Sequence, residues 1–373
     1  MNDLACAIHL HSTYSDGTGT VPEIVRAARR AGVDVVMLTD HDTMEGKAFE
    51  GWHDDVLLLV GVEVSPKNQN HYLAFGIDEP IDHRPPAARG LSPGGGLSPA
   101  EIWDHRGLSP QGGLSPAEIW DHRGLSPEGG LSPVGLSPAE ICAAVSDAGG
   151  FGFAAHPFSQ GPKIMDRPGM PWGDLDSDAL TGIELWSFVT DIGESVESWR
   201  EAFHFLTRPD HVMKDPPERN MREWDRMNRS RRVVGIGGID AHQFGRRVFG
   251  RWVIRLMGYA RSFRQLRTHV WCAEPPNGDL EHDRAQVYDA LRSGRCYIAA
   301  DALAPARGFQ FWADGDGVHV RTPRPAELRL IRNGEVVASE HAAELDHPDG
   351  QDGDRVEAHL GDRTWIVSNP VAP

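Results

Sequence analysis

Val33-Asp34-Val35-Val36-Met37-Leu38-Thr39-Asp40-His41-Asp42 sets the pattern for the whole chain: an apolar, β-branched run stops abruptly at polar, titratable residues. Such a run predicts a strand that delivers His41 and Asp42 at its C-terminal end. The same grammar recurs outward in both directions. Upstream, Ile8 to Leu10 is flanked by His9 and His11. Downstream, Val56 to Val62 leads to Glu63, Phe151 to Ala155 leads to His156, Gly182-Ile183 leads to Glu184, and Val233 to Ile239 leads to Asp240 and His242. Between these runs lie helical stretches. Thr20 with Glu23 forms a capping-box pattern opening a helix that stops at Gly32, and Ser137-Pro138-Ala139-Glu140 opens another in the same way. Apolar runs alternating with helices predict parallel strands in an α/β fold. In barrels of that kind the chemistry gathers at the C-terminal ends of the strands, so residues distant in sequence can share one site.

Two segments depart from this pattern. Residues 90–136 hold two near-identical copies, Leu97 to Gly113 and Leu114 to Gly130, differing only at Gln111 and Glu128. Two Gly- and Pro-rich copies are too few to stack into a solenoid, so they read as a duplicated loop insertion, and His105 and His122 within them as bystanders. After residue 300 the character turns to β. Glu327 to Ile331 and Val336 to Ala338 flank Asn333-Gly334, the dipeptide of a two-residue hairpin, with further strands over Arg355 to Leu360 and Thr364 to Val367. The expected organisation is a large domain over residues 1–300 and a small β-rich unit over 301–373.

Composition narrows the function. With 37 basic against 54 acidic residues the formal net charge is −17, and no Lys/Arg block marks a phosphate-binding face, so a role on duplex nucleic acid is not expected. No apolar run approaches the roughly 18 residues of a membrane span. Four scattered cysteines, Cys6, Cys142, Cys272 and Cys296, without a C-x-x-C pair, fit reduced thiols, and the first ten residues lack a signal-like pattern. A cytoplasmic protein is expected; the oligomeric state is not readable.

His9-Leu10-His11 is followed by Ser15-Asp16-Gly17. Residues two apart on a strand share a face, so both imidazoles can address one metal ion, although two exposed strand histidines would look the same. Glu63 places one carboxylate inside an apolar run, where it needs a cation if it is buried. His71, before Tyr72-Leu73-Ala74-Phe75, and His156 could each be an ordinary core histidine. Asp240-Ala241-His242 again sets two ligand types at same-face spacing. Together the nine residues point to a metal cluster.

In this order, His9-Leu10-His11-Ser12, Thr39-Asp40-His41-Asp42, Glu63, His71, Ala155-His156-Pro157 and Asp240-Ala241-His242 resemble the motifs of the polymerase and histidinol phosphatase (PHP) superfamily, over roughly residues 5 to 300. One departure is Ala7, where the family often has Asp. The resemblance implies a distorted (β/α)7 TIM-like barrel holding two or three divalent metals, zinc, manganese or iron. It implies that His9, His11, Glu63 and Asp240 hold one ion, Glu63, His71 and His156 a second, and Asp16, His41 and His242 a third. The C-terminal text, Arg295-Cys296-Tyr297-Ile298-Ala299 and Trp365-Ile366-Val367-Ser368-Asn369-Pro370, resembles the carbaryl-hydrolase-like branch, in which a β-rich tail follows the barrel.

The activity implied is a metal-dependent phosphoesterase that hydrolyses a small anionic phosphate monoester, nucleotide-like compounds included, with a metal-activated water. The alternatives are a carboxylic or carbamate ester hydrolase using the same metals and a non-catalytic interaction module. Asp42 is a candidate for proton transfer, Glu184 for catalytic support from behind the ligands, Lys163 for phosphate contact, and Arg246 with Arg247 for clamping an anion. For each of these a surface or capping role is the competing reading.

Overall fold

The computed structural model describes residues 2–66, 70–83, 136–165, 168–208, 213–243, 245–248, 252–255 and 257–371. The duplicated insertion, with His105 and His122, therefore lies outside the described residues. The helix after it begins where the sequence places it. Its Ser137 N donates to Glu140 Oε2 at 2.8 Å, and the helix runs over Pro138–Asp147. The first helix, α1 (Val21–Ala31), is closed by Gly32 at φ 70°, a left-handed conformation in which glycine is unstrained.

The first half of the chain supplies β1 (Asn2–Ile8), β2 (Val35–Leu38), β3 (Gly51–His53), β4 (Val56–Val60), β5 (Val62–Val64) and β6 (Tyr72–Phe75). After the insertion come β7 (Phe151–Ala154), β8 (Gly182–Ser187) and β9 (Val234–Gly238), a short β10–β11 hairpin (Gly245–Val248 and Trp252–Arg255), β12 (Arg267–Cys272) and β13 (Cys296–Ala299). The C-terminal strands are β14 (Gln310–Asp314), β15 (Gly317–Arg332), β16 (Glu335–His347), β17 (Arg355–Leu360) and β18 (Arg363–Ser368). Strands β1, β2 and β4 pair in parallel, as expected, and β7, β8 and β9 do likewise in a second sheet. Both faces of β2 are buried: Val36 and Leu38 enter one core and Val35 and Met37 another. That two-sided burial is why the run reads as continuously apolar rather than alternating.

Two expectations are corrected. β6 runs antiparallel to β5, because residues 65–71 are too few for the crossover that a parallel neighbour requires, and it is antiparallel to β7 as well. Nor do the ladders close a barrel. Apart from the β10–β11 hairpin, they form an eleven-stranded and a five-stranded sheet in a mixed α/β fold, linked by the single parallel bridges Leu10–Ala241 and His41–Glu63. The β1 ladder stops because His9 adopts φ 65°, which no extended strand accommodates.

On its other edge β1 pairs antiparallel with β12, which pairs with β13, and β13 with β18. The main sheet thus continues into the C-terminal strands. Asn333 and Gly334, at φ 52° and 85°, make the β15–β16 turn the dipeptide predicted. Trp365, Phe309, Leu328 and Val356 build a core of their own with Trp271 and Tyr297. Beside that core, buried His269 sits between Asp3 (Nδ1 to Oδ1, 2.8 Å) and Asp301 (Nε2 to Oδ2, 3.3 Å), and the Tyr297 hydroxyl donates to Asp3.

Candidate metal centre

Each element delivers its polar residue to one end of the sheets. His9 and His11 follow β1, His41 follows β2, Glu63 is central in β5, His156 lies just past β7, and Asp240 and His242 follow β9. His71 differs, since it precedes its strand. The antiparallel direction of β6 is what carries the start of that strand to the same end. Asp16 arrives on the loop between β1 and α1. All nine residues expected as ligands are brought together.

Donor atoms within 4.8 Å of one another fall into four overlapping sets: His11, Asp16, His41 and His242; His9, Glu63 and His156; His9, His11 and Asp240; His41, Glu63 and His71. Glu63 belongs to two sets, with Oε1 2.7 Å from His71 Nδ1 and Oε2 3.3 Å from His11 Nε2. His71 and His156, grouped together by the resemblance, here sit in separate sets on the same carboxylate. The rings are packed closely, with His11 stacked on His41 and His242 at centroid separations of 4.4 and 4.2 Å.

The test of whether a cation fits is the state of the buried polar atoms. His9 Nε2, His11 Nε2, His41 Nε2 and Glu63 Oε2 are buried and make no hydrogen bond among the described residues. Buried polar atoms are otherwise almost always satisfied, so aligned orphans of this kind mark a place for an ion. Their tautomers suit one. Glu184 Oε1 accepts from His9 Nδ1 at 3.0 Å, which leaves the Nε2 lone pair facing the cluster. The Ser65 hydroxyl donates to Glu63 O, accepts from His41 Nδ1 at 2.6 Å, and does the same for His41.

Charge follows the same logic. Burial pushes the Glu63 carboxyl up, but the imidazoles of His41, His9 and His71 outweigh it and hold the group well below the usual carboxylate range. Asp16 and Asp240 are also held well down, each against burial, with His242 the strongest opposing charge. Burial drives the His41 imidazole the other way, down to about 3, against the pull of Glu63 and Asp16. Three anionic carboxylates among imidazoles are a donor set of the kind that zinc, iron and manganese take.

Backbone strain concentrates here as well. His9, His156 and Asp240 adopt φ of 65°, 31° and 52°, a region rarely entered by residues other than glycine. His9 and His11 therefore do not share a strand face, as the H-x-H spacing suggested. They meet, with ring centroids 5.4 Å apart, because the chain turns at His9.

The remaining expected residues divide. Glu184 is buried inside β8 rather than at its end, and besides His9 it accepts from the His156 backbone N at 2.7 Å, so it fixes two ligand positions from behind. The Asp42 carboxylate lies at the rim, engaged by Ser65 N at 2.9 Å and His83 Nε2 at 3.0 Å. Lys163 is not brought to the cluster; it is exposed and pairs with Glu197 at 2.8 Å. Arg246 and Arg247 fall on β10, whose side chains lie outside the described residues.

Sequence reasoning missed Asp40. Fully buried, it accepts from Ser12 N at 2.7 Å, from the Ser12 hydroxyl at 2.6 Å and from Ser15, bracing the loop between His11 and Asp16. Its signal was present as a second carboxylate beside His41, with Ser12 and Ser15 as partners. Tyr259 and Thr190 were also unread. The Tyr259 hydroxyl donates to His11 O at 2.6 Å, and Thr190 donates to Asp240 Oδ2 at 3.0 Å.

A mixed α/β fold that gathers histidines and carboxylates at one end of its strands defines a protein built around a site fit for divalent metals. Residues 7–80, which contain six of the nine cluster residues, match the family model of the PHP domain. A stretch of 80 residues is 32% identical to the phosphoribosyl 1,2-cyclic phosphate 1,2-diphosphodiesterase of Eggerthella lenta, covering 19% of this chain and 30% of that protein. The chain thus spans less than a third of that relative's length. Among solved structures, a two-domain protein from Bacteroides vulgatus containing a predicted PHP-like metal-dependent phosphoesterase is similar at 14% identity and TM-score 0.43, over 99% of this chain and 95% of that one. An amidohydrolase from Chromobacterium violaceum is similar at 22% identity and TM-score 0.32, over 64% and 87%. No helix among the described residues is long and apolar enough to cross a membrane.

Proposed function

We propose that this chain is a metal-dependent phosphoesterase that cleaves a small phosphate monoester, with nucleotide-like compounds the first to try. The observation that carries the reading is the overlap of donor sets at Glu63, which lets neighbouring cations face one ligand. Several adjacent positive centres suit a phosphoryl group with several charged oxygens better than a single carbonyl. The match to the PHP family model and the Eggerthella relative, named as a diphosphodiesterase, support cleavage of a phosphate ester.

Divalent ions bound here supply Lewis-acid polarisation and a water acidified towards neutral pH. The protein's part is to hold and orient. His9, His11, Asp16, His41, Glu63, His71, His156, Asp240 and His242 are the ligand set. Glu184 keeps the His9 tautomer and the His156 backbone in place, and Asp40 keeps the His11–Asp16 loop in place. Asp42, on the turn after His41 and in contact with His83, is the candidate for proton transfer at the rim. Arg246 and Arg247, on the strand just beyond His242, are the candidates to meet substrate charge. β1, β2 and β5 to β9 are read as a distorted, incompletely closed (β/α)7 barrel within residues 1–300, residues 301–373 as its β-rich appendage, and the cytoplasm as the compartment.

A panel of phosphate monoesters, nucleotides and aryl esters tests the reading on purified protein. Phosphate release that disappears on chelation and returns with zinc, manganese or iron is the expected result. Turnover of a 1-naphthyl carbamate with none on any phosphate monoester would overturn it.

A further inference from the structure

The groove between α1 and the helix Tyr259–Ser262 lies outside the metal cluster and is lined by a concentration of guanidinium groups. Arg26 and Arg30 come from α1, Arg261 and Arg264 from the opposing segment, with Tyr259 and Gln243 also in the wall, around a cavity of about 460 Å³. In a chain of net charge −17 such a cluster runs against the overall composition. It is also costly in itself, since Arg26 and Arg30 are four apart on one helix face and repel each other.

Other arginines show how the fold normally handles this charge. Arg29, in the same helix, reaches Asp54 and Asp55 at 2.5 and 3.0 Å. Among the described residues, Arg26, Arg30 and Arg264 form no such ion pair; the Arg264 guanidinium donates to the Arg30 backbone O at 3.0 Å. The acidic residue in the lining, Glu23, has its Oε2 on Thr20 N and Thr20 Oγ1, at 3.0 and 3.2 Å, capping α1. Arg26, Arg30 and Arg264 therefore bring to the groove cationic charge with no carboxylate partner among the described residues.

We propose that this groove, formed where α1 meets Tyr259–Ser262, binds a small molecule carrying two or more phosphate groups. Planar guanidinium forks match phosphate oxygens in pairs, and several of them around one concavity select a multiply charged anion over a single one. The volume is that of a small-molecule site, within the roughly 300–1,000 Å³ usual for such pockets. The site is distinct from the metal centre yet shares a wall with it. Tyr259 turns its hydroxyl inward to His11 O and accepts from Gly19 N at 3.2 Å. Gly19 leaves no room for a Cβ against that ring. The occupant thus rests on the outer side of the loop that carries His11 and Asp16. The inference does not depend on what the metal centre hydrolyses.

Titration calorimetry with inorganic tripolyphosphate tests it on the full chain, both as purified and after chelation and dialysis, against an Arg30→Gln/Arg264→Gln variant whose melting temperature is checked first. The expected result is a site present in both preparations, weakened about ten-fold or more in the variant by loss of charge-assisted hydrogen bonds, and weakened further by salt. Binding that vanishes with the metals would place the anion at the metal centre and overturn the proposal. Equal affinity in a folded variant, or tighter binding of a single-stranded oligonucleotide than of tripolyphosphate, would overturn it too.

Discussion

Replacing Glu184 by Gln changes one atom's chemistry at an unchanged shape, behind the ligands rather than among them. The carboxylate accepts two hydrogen bonds on different oxygens, from His9 Nδ1 at 3.0 Å and from His156 N at 2.7 Å. An amide has one oxygen and one donor group, so in either orientation one of these contacts becomes donor against donor. If the conflict falls on His9, the imidazole proton must move to Nε2, the atom 3.4 Å from Glu63 Oε2 and 3.6 Å from Asp240 Oδ1, and the lone pair is lost to the cluster. If it falls on His156 N, the residue already strained at φ 31° loses its anchor. Groups that orient ligands from behind typically carry a factor of about 10–100 in metal affinity, or roughly 1.4–2.8 kcal/mol. Competition against a chromogenic chelator measures this directly, with the melting temperature of the metal-free variant as a control for folding. A folded Glu184→Gln protein that holds its metals within about three-fold of the parent contradicts the argument.

Gly238→Ala attacks the same carboxylate sterically, because the added Cβ would overlap Glu184 Oε1; a stability loss of about 1–3 kcal/mol together with weakened metal binding is expected from urea unfolding and chelator competition. Asp40→Ala leaves Ser12 and Ser15 donors without their acceptor and should cost at least about 2 kcal/mol in urea, with preferential loss of the ion held by Asp16. The His269 network should show a pH signature. Burial lowers the His269 pKa, but Asp3 and Asp301 outweigh it and hold the imidazole above its ordinary 6.5. Asp3 and Asp301 are held below 3.8 against their own burial, with His269 first among the opposing groups. The histidine's contribution is full below 6.5 and is lost as pH rises through the raised value, whereas that of the aspartates is lost as pH falls. His269→Gln should therefore cost most near pH 5.5 and least near pH 9, and an equal cost at both values would contradict this sign.

Much of the site was legible because the strands that carry it are buried on both faces. Such strands must be apolar throughout, so a titratable residue at their end stands out, as His41 does after Leu38. The C-terminal hairpin was legible for a different reason: Asn333-Gly334 satisfies a turn that needs two left-handed residues. What stayed hidden depends on pairing rather than pattern. Nothing in Tyr72-Leu73-Ala74-Phe75 announces its direction, yet that direction puts His71 in the cluster. The left-handed backbone at His9 is equally silent, and it converts an apparent same-face H-x-H pair into two ligands joined by a turn. Asp40 looked like part of the His41 motif, because its partners Ser12 and Ser15 come from another strand end. Lys163 was drawn toward the site by chemistry alone, and Glu197, its actual partner, lies 34 residues away.

The most direct test of the account is the metal content of the purified chain, measured by plasma mass spectrometry alongside phosphate release from a monoester panel. Two or three divalent ions per chain are expected, with Glu63→Ala losing most of them and all phosphate release with them, since Glu63 joins two of the donor sets. A folded protein that holds less than one ion per chain after incubation with zinc, manganese or iron, or a Glu63→Ala variant that keeps its full complement, would contradict the account.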